Sequence, residues 1–275
     1  MKYLKINLKT VAFFWLTTMF SIYSYAQEAE NIYHKQYSKL SFVLQPSILK
    51  PSEAYNYDGS AYPSVEFTKD FSYQFGVYYN FAQSGNFNFK TGIIAKEFIP
   101  KFDLNITDQD VGMGVDYTLT EIDSYSQFLL SIPLKMEYFI KINPKLNLSL
   151  GSAINMNIIT GTNFEHTTGV SVYSIDGSNS KDIFYSKSVQ HQNLNFSTEL
   201  SLGFNYKTKY ALFDLSYFIN NQFGSQYTTG EYQIYNLTQS ETKNGQFNIY
   251  SSFHGLSLVV SPKKGWLKNS TKKEL

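Results

Sequence analysis

From Gln127 to Ile142 every even position is apolar (Phe128, Leu130, Ile132, Leu134, Met136, Tyr138, Ile140, Ile142), while Gln127, Ser131, Lys135, Glu137 and Lys141 among the odd ones are polar or charged. A period of two places these sets on opposite faces of an extended strand. A strand this long, greasy on one side and carrying both signs of charge on the other, suits the wall of a barrel with lipid outside and a wet interior.

The same alternation recurs along the chain. It predicts strands at about 38–46 (Leu40, Phe42 and Leu44 on one face), 71–82 (Phe71, Tyr73, Phe75, Val77, Tyr79 and Phe81 outward) and 86–97 (Phe87, Phe89, Thr91 and Ile93 outward). Further strands follow at 127–142, 146–160, 191–206, 210–223 and 246–261. In the fifth, the inner face is Asn147, Ser149, Gly151, Ala153, Asn155 and Asn157, small and amide-rich as a narrow lumen requires. Gln83-Ser84-Gly85 reads as a three-residue hairpin turn that pairs Phe81 with Phe87. A turn at Asn143-Pro144-Lys145 pairs Tyr138 with Leu150 and Leu134 with Ile154, and Thr208-Lys209 supplies a third short turn. Near Gly255 the apolar parity switches, which reads as a bulge.

The intervening stretches 47–70, 98–124, 161–190 and 224–245 are polar and read as long loops. Two features modify that reading: VGMGVDYTLTEI extends the flanking strands as a ribbon, and Asp176-Gly177 turns a hairpin between VSVYSI and KDIFYSKS. Long and short connections therefore alternate strictly through eight strands. A soluble sandwich or lipocalin-type barrel has no reason to gather its long connections at one end, whereas outer-membrane barrels do. The expected fold is all-β, an eight-stranded antiparallel up-and-down transmembrane barrel with short periplasmic turns and long extracellular loops.

The chain begins with Lys2, Lys5 and Lys9 ahead of the apolar run VAFFWLTTMF and the small residues of Ser24-Tyr25-Ala26, the pattern of a cleavable signal peptide over 1–26. The barrel then occupies 27–262, and 263–275 form a basic periplasmic tail. Beyond Ala26 no apolar run is long enough for a helical span, so a bilayer can be crossed only by a closed barrel. The mean hydropathy of −0.27 is compatible with that, because alternating strands dilute the apolar signal. The chain carries +1; without the three leader lysines it carries 1 − 3, or about −2, with no basic stripe of the kind nucleic acid requires. The absence of cysteine removes both a disulfide framework and a lipid-anchoring thiol, and aromatics reach 17%.

The leader, the eight amphipathic strands and the hairpin IPLKMEYFIKINPKLNLSLG, with its "IPL…Y" strand and "NPKL" turn, resemble the PorT-like small outer-membrane β-barrel proteins of bacteria. The resemblance implies residence in the outer membrane; with a lumen too full for a solute channel, the expected role is non-enzymatic and structural, adhesive or secretion-accessory, in the outside loops or periplasmic ends, and the resemblance raises the secretion option among these. It departs from many such barrels at the end, where the basic tail PKKGWLKNSTKKEL replaces a terminal aromatic.

Candidate chemistry is sparse. Lys135, Glu137, Glu199, Asp214 and Lys90 all fall on inward parity, where they form a lumen charge cluster that packs the interior by pairing opposite signs. The histidines His34, His166, His191 and His254 show no metal-ligand spacing. His254 lies near Ser252 and Ser257, the one hint of a membrane hydrolase acting on lipid or peptide. No phosphate loop or dinucleotide fingerprint occurs, and no cofactor is expected. The expected partners are outer-membrane lipid and proteins meeting the extracellular loops or the tail. A soluble exported β-barrel or sandwich is the remaining alternative.

Overall fold

The computed structural model describes residues 36–57, 65–98, 101–107, 111–112, 117–123, 127–159, 165–173, 180–190, 194–223, 228–238 and 242–264. The leader and most of the tail lie outside the described residues, as do His34, His191 and the turn at Asp176-Gly177. Among the described residues sixteen strands follow one another: β1 (Leu40–Leu49), β2 (Glu53–Asn56), β3 (Val65–Phe67), β4 (Asp70–Ser84), β5 (Phe87–Phe98), β6 (Lys101–Ile106), β7 (Tyr117–Asp123) and β8 (Gln127–Lys141) in the first half. The second half has β9 (Leu146–Ile159), β10 (Glu165–Tyr173), β11 (Ser180–Gln190), β12 (Leu194–Lys207), β13 (Ala211–Phe223), β14 (Thr228–Tyr235), β15 (Thr242–Ile249) and β16 (Phe253–Pro262).

Eight of these close into an antiparallel barrel in the order β1, β4, β5, β8, β9, β12, β13, β16, with β16 pairing back onto β1. Consecutive barrel strands are neighbours throughout, which is the up-and-down topology. The alternation of side chains makes this barrel inside out relative to a soluble protein. Phe42 (62% exposed), Phe75 (55%) and Leu200 (65%) stand on the outer wall, whereas Lys135 (1%) and Glu137 (4%) are buried within. The expected register through β8 and β9 is present, with Tyr138 opposite Leu150, Ile140 opposite Leu148 and Leu134 opposite Ile154. Asn143 explains that turn, because its Oδ1 accepts hydrogen bonds from the backbone N–H of Lys145 and of Leu146, both at 2.9 Å.

The β4–β5 hairpin differs from the expected one. Ser84 pairs with Phe87, so the turn is Gly85-Asn86, and a bulge at Phe81 shifts the register so that Asn80 faces Lys90 while Ala82 faces Phe89. Gly85 holds φ at +53°, the positive value a two-residue hairpin needs at its first turn position. The bulge takes up the residue that the three-residue turn was expected to hold. Phe81 therefore does not pair with Phe87; it lies beside Phe89 with ring centroids 6.3 Å apart, and Phe89 is buried instead of exposed.

The long connections are not loops. Each contributes two strands to sheets that stand beyond one end of the barrel, one of five strands (β10-β11-β14-β15-β2) and one of three (β3-β6-β7). VGMGVDYTLTEI contributes β7, which pairs antiparallel with β6 beyond the end of the β5–β8 ladder, so the flanking strands run on as the expected ribbon, here part of the smaller sheet. The pairing of Ser171 with Asp182 and of Val172 with Lys181 is the hairpin expected around Asp176-Gly177. The segment 246–261, expected as one strand, divides between β15 in the five-stranded sheet and β16 in the barrel. No bulge accompanies the parity switch, since β16 keeps one register with β13 through Gly255. The switch marks a change of surroundings. Phe247, Ile249 and Phe253 turn their side chains into a core above the lumen, whereas Leu256 and Leu258 turn theirs to the outer wall.

That core joins both outer sheets to the barrel mouth. Phe67 packs on Phe102 and Phe247 at centroid distances of 6.0 and 5.5 Å, and Phe184 on Phe102 and Tyr232 at 5.8 and 6.3 Å. Leu129, Ile159, Phe218 and Phe253 from the barrel strands complete it from below.

Candidate functional site

The lumen below this core holds the chemistry. Inward positions on β5, β8, β12 and β13 converge because an eight-stranded barrel is just narrow enough for its side chains to meet across the middle. The buried charged residues among those described are Lys90, Lys96, Lys135, Glu137, Glu199 and Asp214, three of each sign. Lys90 Nζ lies 2.5 Å from Glu137 Oε1 and 4.5 Å from the centroid of the Tyr78 ring. Lys135 Nζ donates to Glu199 Oε1 at 2.9 Å and lies 3.9 Å from Glu137. Asn88 Nδ2 donates to Glu137 Oε2 at 3.1 Å and to Asn80 Oδ1 at 2.9 Å. The five residues expected as a lumen cluster are thus brought together; Asp214 faces Asn205 in register and lines the same cavity as Glu137 and Lys90.

Above these pairs lies a layer of amides and hydroxyls. Asn157 Nδ2 donates to Asn195 Oδ1 at 2.9 Å and to Ser197 Oγ at 3.0 Å, and Gln74 Nε2 donates to Ser47 Oγ at 2.9 Å. Lys96 closes the stack: its Nζ is 3.4 Å from Asn157 Oδ1 and 5.8 Å from the Phe253 ring centroid, at the floor of the apolar core. The sequence reading named Lys90 and passed over Lys96. The same parity on β5 that turns Lys90 inward turns Lys96 inward six residues on.

At the short-turn end a cavity of about 30 Å³ is lined by Tyr37, Asn80, Asn88, Lys90, Glu137 and Asp214, with further serine and apolar side chains. Such a volume accommodates a water or two and no solute. Tyr37 covers it from the N-terminal side. Its hydroxyl donates to the Thr208 carbonyl at 3.0 Å, and its neighbours Gln36 and Ser38 bond to the backbone of Lys264 and Pro262 at 2.9 and 2.7 Å. Among the described residues the lumen is thus occupied by apolar side chains at one end and by paired charge in the middle, with only this small cavity at the other.

The hint of a hydrolase is not assembled. His254 faces the outer wall, with its Nδ1 3.0 Å from the Tyr217 hydroxyl, while Ser257 points into the lumen and accepts from Gln45 Nε2 at 3.2 Å. Ser252 Oγ accepts from the backbone N–H of Gln222. Among the described residues no three of His, Cys, Asp and Glu converge as a metal-binding group.

No family model and no curated protein matches the chain. Among solved structures it is similar to the outer membrane protein OprG of Pseudomonas aeruginosa, at 12% identity over 81% of this chain and 97% of that one, with a TM-score of 0.38. It is similar also to the outer membrane protease OmpT of Escherichia coli, at 8% identity over 86% and 99% of the two chains and a TM-score of 0.34. The toluene transporter TodX of P. putida aligns at 10% identity over 82% and 90%, with a TM-score of 0.20. Likenesses of this size carry no statement about ligand or activity.

Proposed function

We propose that this chain is an integral protein of the bacterial outer membrane, exported by the leader 1–26, whose barrel serves as an anchor and whose working surface is the pair of sheets at the long-connection end. The observation that carries this reading is the inversion of the barrel. Leu40, Phe71, Tyr73, Phe204, Leu215 and Leu256, drawn from five barrel strands, are each about half exposed while six charges are buried inside. Soluble monomers rarely expose contiguous apolar patches beyond a few hundred Å². In a bilayer the same surface is the favourable one, because every strand's backbone is paired around a closed circuit. Short turns then face the periplasm and the folded sheets face outward.

A filled lumen favours an anchor over a channel and with it a structural, adhesion or secretion-accessory role, the PorT-like resemblance raising the secretion option, with protein partners meeting the outer sheets or the tail 263–275. The test has two parts. Fractionation of cells making the chain should place it in the carbonate-resistant outer membrane, with a band that shifts on heating; recovery in the soluble periplasmic or culture fraction ends the membrane reading. In planar bilayers the purified protein should show no steady conductance, and a sustained open level would replace the anchor by a channel.

A further inference from the structure

The short-turn rim of the barrel is built from lysine. The segments 36–40, 82–87, 140–146, 206–211 and 262–264, which make up this end among the described residues, contain Lys39, Lys141, Lys145, Lys207, Lys209, Lys263 and Lys264 and not one Asp or Glu. At the opposite end lysines and carboxylates pair, as Lys187 does with Glu165 at 2.7 Å and Lys101 with Asp70 at 3.4 Å. Like charges gathered on one rim repel one another. Such a collection gives this rim a positive potential that attracts an anionic partner.

The positions of these lysines say what that partner is. Lys39 adjoins Leu40, Lys141 lies between Ile140 and Ile142, Lys207 follows Tyr206, and Lys209 precedes Tyr210; all five of these apolar neighbours are exposed on the outer wall, at 42–56%. Lys209 Nζ sits 4.7 Å from the Tyr210 ring centroid and Lys39 Nζ 5.9 Å from that of Tyr79. Tyrosines with their bodies in hydrocarbon and their hydroxyls at headgroup level mark a bilayer interface, and lysine stems beside them place ammonium groups at phosphate depth. We infer that the short-turn rim binds anionic phospholipid headgroups, diacyl phosphodiesters without a compensating ammonium, in the leaflet that the short turns face. This rests on the proposed membrane residence and specifies which lipid the barrel selects there.

The full mature chain, purified in nonionic detergent, can be mixed with equal amounts of phosphatidylglycerol and phosphatidylcholine and the retained lipid counted by native mass spectrometry. The expected result is selective retention of phosphatidylglycerol, by about fivefold for each engaged lysine, falling as salt is raised. Replacing Lys39, Lys141, Lys207 and Lys209 together by Gln should bring the two lipids to parity, while the same number of changes at the other end (Lys69, Lys181, Lys187 and Lys243 to Gln) should leave the preference intact. Equal retention of both lipids by the unaltered protein overturns the inference, as does a preference that survives the rim changes. Lysine-dependent binding of poly-glutamate without lipid selectivity also overturns it, in favour of an acidic protein partner, and displacement by equimolar glycerol phosphate would show a site for soluble phosphate instead of a lipid surface. The wild-type salt titration decides the matter even where the fourfold variant does not refold. Membrane fractionation of the rim variant separates the two readings, since it should remain in the membrane with its lipid preference gone.

Discussion

At the long-connection end of this molecule Phe67, Phe184, Tyr232 and Phe247 meet in an apolar core with their polar neighbours turned outward, while in the barrel beneath it Lys90, Lys135, Glu137 and Glu199 are buried and the apolar residues face out. One strand alternation serves both arrangements. What differs is where the apolar residues gather: the outer sheets turn them to a shared interior, and the barrel wall turns them to its exterior. The charged interior survives because its signs balance and opposite charges pair, with Asn88 adding a hydrogen bond to Glu137, which is the condition under which buried ions cost least. The apolar interior needs no such matching.

The contrast is tested most severely by removing one piece from each interior. Phe184→Ala takes a fully buried ring from between Phe102 and Tyr232 and should cost about 3–5 kcal/mol, read by urea unfolding of the refolded protein in detergent. Because most of that core comes from the outer sheets, limited proteolysis should cut them while the heat-shifted barrel band persists; loss of both together would show one cooperative unit. Lys135→Met leaves Glu199 without its partner and should cost a similar amount, about 3–5 kcal/mol. Adding Glu199→Gln to it should recover much of the loss, whereas a replacement of two apolar core residues has no reason to recover anything. A double variant as unstable as the single one would mean that the pair is not what holds Lys135 in place.

How far these two interiors were legible in the sequence follows from the same contrast. Parity alone assigned the inner and outer faces of the barrel strands and brought Lys90, Lys135, Glu137, Glu199 and Asp214 together, because a two-residue period survives any error in where a strand ends. It failed at Phe81, where a bulge adds a residue that leaves aromatics at both candidate registers. It failed again across 246–261, where the chain leaves β15 for β16 and the apolar side changes from core to outer wall beyond Phe253 with no break in the β13–β16 register. The outer sheets were read as loops although β14 alternates cleanly, with Tyr232 and Ile234 inward and Glu231 and Gln233 outward. Their assembly depends on pairings such as Asn56 with Gly245, far apart in the chain, which no local pattern announces.

A smaller effect separates the two exteriors. Leu200 stands at mid-strand on the barrel wall at 65% exposure, while Gln246 stands exposed on the five-stranded sheet. Leu200→Arg should cost about 2–4 kcal/mol in lipid vesicles, as a charge at bilayer depth does, and Gln246→Arg should stay within about 0.5 kcal/mol. Were Leu200→Arg as silent as Gln246→Arg, the barrel exterior would be facing water and the contrast between the two regions would collapse into a single soluble protein.

An effect smaller than that of Leu200→Arg lies at the short-turn end, in Gly85. Its φ of +53° is a conformation that costs an L-residue about 1 kcal/mol, and space is not the issue, since a Cβ there meets nothing within 4 Å. Gly85→Ala should therefore lower stability by about 1 kcal/mol through the backbone alone, and Gly85→Asn by less, because asparagine tolerates that region. The order glycine, asparagine, alanine in unfolding midpoints would confirm the two-residue turn with its bulge at Phe81. Equal midpoints for all three would return the hairpin to the longer turn ending at Gly85 only if the register of Ser84 opposite Phe87, followed by cross-strand amide contacts in NMR, were lost as well.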